Sequence, residues 1–131
     1  MTSPAEPDPL PPAAEAGWRE GRGVVLLYVT CASRAEAEHI GRTVVREGLA
    51  ACANIDEHRA IYPWQGKIEE ATEGRLLLKT TVAALPALKA RILALHSYTL
   101  PALLAFPVAS GLAPYLDWVE ANTMPSSRAE G

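Results

Sequence analysis

Two apolar and β-branched segments that flank one tight turn constrain this chain more than any other feature. Residues 63–66 read Pro-Trp-Gln-Gly, and their proline and glycine predict a turn. A strand predicted from residue 49 to residue 62 enters the turn, with a possible bend at 56–58. Residues 67–70 leave it, residues 71–74 look irregular, and 75–80 again predict a strand. Because strands average about 5–6 residues, this hairpin is too long for one small domain to cover.

The first third of the chain predicts a strand followed by a helix. Residues 24–31 are continuously apolar and β-branched, which is typical of a strand buried on both faces. Ser33 and Glu36 have the spacing of a capping box, with serine at the N-cap and glutamate three residues later. Gly48 is placed to end the helix near residue 47.

The segment after the hairpin predicts a helix, a strand and a final helix. Thr81 or a residue just after it should cap the helix, and Pro86 fits only in its first turn. Apolar residues then recur with helical spacing at Leu85, Leu88, Ile92 and Leu95. A strand is predicted at 103–108, where Pro107 favours a sheet edge or a bulge. A short helix is predicted at 114–120.

This order of elements predicts an α+β domain with the ferredoxin-like βαββαβ pattern, a long β-hairpin and an extra C-terminal helix. The domain should span residues 23–123. Residues 1–22 are rich in proline, alanine and glutamate, so we expect a disordered tail there and another at 124–131.

Composition excludes several classes of protein. The net charge of -3 and the scattered basic residues argue against nucleic-acid binding. No segment has the roughly 18 apolar residues of a membrane span, and the N-terminus lacks the pattern of a secretory signal. We therefore expect a cytoplasmic protein that binds neither nucleic acid nor membrane.

Five segments resemble the CutA family of divalent-cation tolerance proteins. They occur in the order that the family has them and cover nearly all of the predicted domain. The matching segments are LAACANI at 49–55, IYPWQGKIE at 61–69, LLLKT at 76–80, His96-Ser97-Tyr98 with Pro101, and YLDW at 115–118. The resemblance implies a ferredoxin-like fold, PII-like architecture, and a homotrimer in which hairpin strands pair between subunits. It also implies a link to tolerance of copper and other divalent cations, without an established catalytic activity.

The chain departs from the family pattern where a metal would bind. Thr99 and Ala102 replace two glutamates of the family motif, and Val29 and Leu95 stand where some members have cysteine and histidine. His96 alone carries over. It should lie at a helix C-terminus, where it is either a structural imidazole or a weak Cu(II) ligand. Cys31 is a second candidate ligand, and we expect no required cofactor.

Two enzymatic alternatives arise near the first helix. Cys31 precedes the helix, whose N-terminus could lower the pKa of the thiol, as a cysteine enzyme would need. An acylphosphatase-like hydrolase would need an anion loop here, but residues 31–34 contain no glycine. We therefore predict a binding, assembly or signalling module and no enzyme.

The aromatic residues predict either packed interfaces or a ligand cleft between subunits. The cleft would take a small anionic or zwitterionic ligand, since such sites combine apolar walls with a few polar groups. Its candidate residues are Tyr62, Trp64, Lys67, Lys79, His96 and Tyr98.

Overall fold

The computed structural model describes residues 17–124, which form six strands and three helices. The strands are β1 (Trp18–Glu20), β2 (Val24–Cys31), β3 (Cys52–Trp64), β4 (Lys67–Thr81), β5 (Leu103–Pro107) and β6 (Ser110–Leu112). The helices are α1 (Arg34–Arg46), α2 (Leu85–Leu95) and α3 (Ala113–Ala121). The described residues include no helix that is long and apolar enough to cross a membrane; a cytoplasmic location stays a prediction.

Four strands form one antiparallel sheet in the order β3-β4-β2-β5. Helices α1 and α2 pack against one face of this sheet, where Ile40 and Ile92 are fully buried with Leu76 and Leu78 of β4. This arrangement confirms the predicted ferredoxin-like pattern. On the opposite face, α3 covers one end of the sheet, where Val24 of β2 packs with Leu116. Beyond α3 this face is open within the described part of the chain, and half-exposed Leu104 and Phe106 lie on the strand at its edge.

The hairpin is more regular than the sequence predicts and reaches closer to the turn. Strand β3 continues through Trp64, and the turn consists of Gln65 and Gly66, both with positive φ angles of 51° and 81°. Two such residues match the right-handed twist of a tight hairpin. The predicted irregular stretch at 71–74 is wrong, because β4 runs unbroken and all four of these residues pair with β3. The predicted bend at 56–58 is also absent from the continuous β3, and this strand begins at Cys52 instead of residue 49.

The N-terminal boundary differs from the prediction. Residues 1–16 of the expected tail lie outside the described residues. Residues 17–22 are described, and they contain β1. This strand pairs with β6, and Arg19 donates hydrogen bonds to Asp117 and Glu120 of α3. Such long-range contacts leave no local sequence pattern, which explains why both short strands escaped prediction. The expected tail at 124–131 lies outside the described residues apart from Met124.

The helix ends follow the sequence signals with one exception. Ser33 caps α1 by accepting a hydrogen bond from the Glu36 amide at 3.1 Å. Helix α2 begins at Leu85 with Ala84 at the N-cap, so Thr81 is not its cap. Thr81 instead accepts a hydrogen bond from the Ala84 amide at 3.3 Å and closes the turn before the helix.

Candidate functional site

The distal part of the hairpin extends beyond the rest of the sheet. Strand β2 pairs with β4 only as far as the Cys31–Gly74 pair. From Glu73 to the turn, β4 pairs with β3 and with no other strand in the described part of the chain. Residues 58–73 thus form a two-stranded segment, called the ribbon below, whose outer edges present unpaired backbone groups.

The ribbon carries large apolar side chains in contact with water. Ile61, Trp64 and Ile68 are 67%, 59% and 68% exposed. Because side chains alternate along a strand, Ile61 lies on one face with Ile68, the partner of Pro63, whereas Tyr62 and Trp64 lie on the other. Both faces are therefore partly apolar, which is unusual for an isolated strand pair in water.

Two pairs of polar side chains lie at and just below the base of the ribbon. His58 and Glu73 face each other across the strands, with Nε2 3.0 Å from Oε1 and side chains only 19% and 14% exposed. Nδ1 of His58 is buried without a hydrogen-bond partner among the described residues. Arg75 forms a two-pronged salt bridge with Asp56, and this hydrogen bonding holds the pKa of the Asp56 carboxyl below its usual value.

A second group of polar residues lies where β2, α1 and the segment after α2 meet. Cys31 ends β2, Glu36 lies in the first turn of α1, and His96 follows α2. Their ligand atoms lie within 4.8 Å of one another. Cys31 and His96 were identified from the sequence as candidate ligands. Glu36 was assigned only to the capping box, and the fold shows that it also lies beside these two residues.

Hydrogen bonds already engage the carboxylate and both ring nitrogens of this group. Oε1 of Glu36 accepts from the Ala32 amide and Oε2 from the Ser97 amide, each at 2.8 Å. Nδ1 of His96 accepts from the Tyr98 amide at 3.0 Å, so this nitrogen carries no proton. Nε2 then donates to the Thr30 carbonyl at 2.8 Å.

Burial of Cys31 argues against the cysteine-enzyme alternative. The side chain is fully buried, and desolvation, with the nearby carboxylates of Glu36 and Glu73, raises the pKa of the Cys31 thiol to about 12. The predicted lowering by the helix N-terminus is therefore wrong. Cys31 has neither the ionisation nor the access that a nucleophile needs.

We expect iodoacetamide at pH ~7.5 to leave Cys31 of the native protein unmodified. A thiol pKa of about 12 instead of 9.0 lowers the thiolate fraction about a thousandfold, and burial blocks access as well. The half-buried Cys52 should react first. Peptide mass spectrometry measures both sites, with the urea-unfolded chain as the control. A native Cys31 that reacts as fast as the unfolded one would contradict this.

Glu36 gives the fold a pH dependence with a defined sign. Burial by itself raises the pKa of Glu36, but the hydrogen bonds from Ala32 and Ser97 outweigh it and hold the pKa below 4.5. Because the folded-state pKa is the lower one, its stabilisation is complete above the unfolded pKa and is lost as pH falls through the folded pKa. We expect Glu36→Gln to lower the free energy of unfolding at neutral pH by about 1–2 kcal/mol.

Urea unfolding between about pH 7 and about pH 3 measures this contribution. The difference between wild type and Glu36→Gln should shrink as the solution becomes acidic. The matched control is Glu38→Gln, since Glu38 is an exposed glutamate of the same helix. A difference that stays constant throughout this range would show that the charge of Glu36 plays no part.

The predicted cleft residues do not all lie together within one chain. Trp64 and Lys67 pair at the ribbon tip, with Tyr62 beside them. His96 and Tyr98 lie together, with ring centroids 4.9 Å apart. Lys79 is far from the tip, because the 12 residues that separate it from Lys67 on β4 span about 40 Å. One chain therefore does not gather these six residues, and the cleft between subunits stays a prediction.

The position of Lys79 is explained by the last helix. Its Nζ lies 5.3 Å from the ring centroid of Tyr115, which in turn stacks on Trp118. Burial lowers the pKa of Lys79, but the hydrogen bond with Tyr115 outweighs this and leaves the pKa raised. Lys79 thus joins the sheet to α3.

A hollow of about 300 Å³ on the sheet face away from α1 and α2 was not predicted from the sequence. Asp56 and Arg75 contribute its charged groups. Its lining residues are Tyr28, Asn54, Ile55, Asp56, Arg75 and Leu77. The signal that could have found it is the charge complementarity of Asp56 and Arg75, which emerges once the hairpin register is known.

Comparisons with known proteins agree on one family. The model of the CutA1 divalent ion tolerance protein family matches residues 25–122. The divalent-cation tolerance protein CutA of Thermus thermophilus is 46% identical over 75% of this chain and 96% of its own length. Protein CutA of mouse (Mus musculus) is 40% identical over 94% of this chain and 70% of its own length. The structure of CutA from Synechococcus elongatus, 31% identical, superposes with a TM-score of 0.81 over 86% of this chain and 100% of that one.

Proposed function

Because the chain belongs to the CutA1 divalent ion tolerance protein family, we propose that it is a self-assembling, non-enzymatic binding module that supports tolerance of divalent cations, copper among them. The observation that carries this proposal is the ribbon, which exposes both its edges and its apolar side chains. A surface of this kind fits a role in which several copies act together.

Pairing between copies accounts for both features of the ribbon. The edges supply rows of backbone donors and acceptors, and an unprotected edge invites another strand. The large side chains of Ile61, Trp64 and Ile68 become buried when a neighbouring copy covers them. A closed ring of subunits satisfies every copy equally and prevents open-ended growth. The family resemblance gives three as the number of copies.

The part of the second sheet face that α3 leaves uncovered adds to this surface. Leu104 and Phe106 on β5 are half-exposed, and Tyr28 lies on the neighbouring strand opposite Leu104. Together with the hollow that Asp56 and Arg75 help to line, these residues offer an apolar area that includes a charged pair. A subunit that covers this area would bury apolar surface while leaving the Asp56–Arg75 pair hydrogen-bonded.

Two observations support a function without catalysis. The Cys31 thiol is buried and protonated at neutral pH, and both ring nitrogens of His96 are already hydrogen-bonded. Nucleophilic catalysis needs an accessible nucleophile next to a free base, and this pair offers neither.

A small anionic or zwitterionic ligand would bind between subunits in this proposal. Tyr62 of the ribbon and Tyr98 lie near enough to each other that Tyr62 contributes, after burial and Glu73, to the raised pKa of Tyr98. With His96 beside Tyr98, they form one wall, and a neighbouring copy would supply the second wall.

Copper binding through His96 is the alternative function. A copper ion would have to displace either the Tyr98 amide or the Thr30 carbonyl from the ring. The exposed ribbon supports assembly more directly than these engaged nitrogens support a copper site.

Growth of cells that lack the gene tests the proposal. We expect deletion to make cells sensitive to copper, and wild-type protein to restore growth. The variant Trp64→Lys/Ile68→Lys, which disrupts the ribbon, should fail to restore it. Leu93→Lys is the matched control, since Leu93 is an exposed leucine on α2 and away from the ribbon. Full rescue by the ribbon variant would show that assembly is not needed for tolerance.

A further inference from the structure

We infer that Cys31, Glu36 and His96 form a metal-free clasp that fastens the loop after α2 to the start of α1, although their donor atoms lie close enough to hold a cation. The clasp lies within a single chain and does not depend on the number of subunits. A chain that contains this clasp would have to bind divalent cations through other residues.

Backbone groups occupy both ring nitrogens of His96 and one lone pair on each oxygen of Glu36, so of these two side chains only Glu36 keeps lone pairs for a cation. Each oxygen of Glu36 accepts one backbone amide, from Ala32 and Ser97. Each nitrogen of His96 is bonded to backbone as well, one to the Tyr98 amide and one to the Thr30 carbonyl. A preformed metal site would instead direct free lone pairs at a common point.

The thiol of the group is shielded from solvent. A metal binds cysteine as the thiolate, so a cation at this place would need to enter a site whose cysteine is fully buried and displace the thiol proton there. The environment of Cys31 thus favours the neutral thiol, which packs as a small apolar group.

The hydrogen bonds of the group have a clear structural use. Glu36 connects the residue before the α1 cap to Ser97, and His96 connects the end of β2 to Tyr98. Three elements are thereby joined at one point, and Tyr98 is held near Glu73 at the base of the ribbon and near Tyr62 farther along it. A metal ion that took these donors would release the loop and leave backbone amides without partners.

Amide hydrogen exchange followed by NMR tests the clasp in the wild-type protein. The Ser97 and Tyr98 amides should be protected, and a large molar excess of Zn(II), which is diamagnetic, should leave their shifts and exchange rates unchanged. Zn(II) binding that perturbs these two amides at a stoichiometry of one ion per chain would overturn the inference.

Two substitutions test the hydrogen bonds of Glu36 and His96 one at a time. Glu36→Gln should speed exchange of the Ser97 amide about tenfold, since a hydrogen bond to a charged group is lost, and His96→Gln should do the same for Tyr98. His39→Gln is the matched control, because His39 is an exposed histidine of α1, and it should change neither amide.

If one of these variants fails to fold, isothermal titration calorimetry with Cu(II) still tests the clasp, by comparing the copper affinity of the wild type with that of Cys31→Ser. Copper affinity at one site per chain that depends on Cys31 would overturn the clasp. Equal, weak binding by both proteins would support it.

Discussion

We expect Trp64→Lys/Ile68→Lys to convert the proposed assembly into single chains of 14.0 kDa. Burial of a large apolar side chain contributes about 1.5–3 kcal/mol, and both side chains would be lost from every subunit of a trimer. Lysine at these positions adds a charge that assembly would have to bury without a partner, which is strongly unfavourable. We therefore expect dissociation at micromolar concentration, while circular dichroism of the separated chains stays close to that of the wild type.

The control for this variant is Leu93→Lys, which makes the same kind of change on the outer face of α2. Size-exclusion chromatography with light scattering measures both masses. An assembled Trp64→Lys/Ile68→Lys protein would mean that the ribbon tip is not part of the interface. Dissociation of both variants would mean that added positive charge, and not the position, is responsible.

Gly74→Ala is expected to have the second largest effect, this time on folding. Gly74 pairs with Cys31 at the place where β2 ends. A Cβ atom there would lie 2.9 Å from the Arg34 amide nitrogen and closer still to the Ser33 carbonyl. These are backbone atoms at the cap of α1, which cannot rotate away as a side chain could. Overpacking of this kind costs about 3 kcal/mol, so the variant should unfold at a much lower urea concentration.

Gly17→Ala is the matched control for this substitution. No atom of the described residues lies within 4 Å of the position that its Cβ would take, so the change should leave the midpoint of urea unfolding nearly unaltered. All chains must be compared at one protein concentration, because assembly makes apparent stability depend on it. A Gly74→Ala protein as stable as the wild type would show that the approach of β4 to the α1 cap is looser than described.

Local signals predicted most of the fold. The apolar run of β2, the Ser33–Glu36 capping box and the stripe that contains Leu88 and Ile92 each depend on residues a few positions apart. These features determine where a segment begins and which face it buries, so the order of elements could be predicted. The clear turn signal at residues 63–66 likewise located the hairpin to within two residues.

Interactions across long distances explain what was not predicted. Strand β1 is three residues long and exists because it pairs with β6, about ninety residues later. The regularity of β4 through residues 71–74 comes from its pairing with β3, which overrides the weak strand preference of Glu73 and Gly74.

The candidate site illustrates the same limit. His96 and Cys31 were identifiable as chemical groups, but the sequence did not reveal that Glu36 would join them or that backbone atoms would engage Glu36 and His96. The direction of the Cys31 pKa shift also depended on burial, which outweighed the expected influence of the helix N-terminus. The residue types show which reactive or metal-ligating groups the chain contains. Tertiary contacts decide whether those groups are accessible or already hydrogen-bonded.

The mass of the wild-type protein in solution tests the central claim most directly. Light scattering at micromolar concentration should give three times the 14.0 kDa of one chain, because the ribbon edges and apolar residues need neighbouring copies to cover them. A single monodisperse species of 14.0 kDa would contradict self-assembly, since the ribbon would then remain exposed in the working protein.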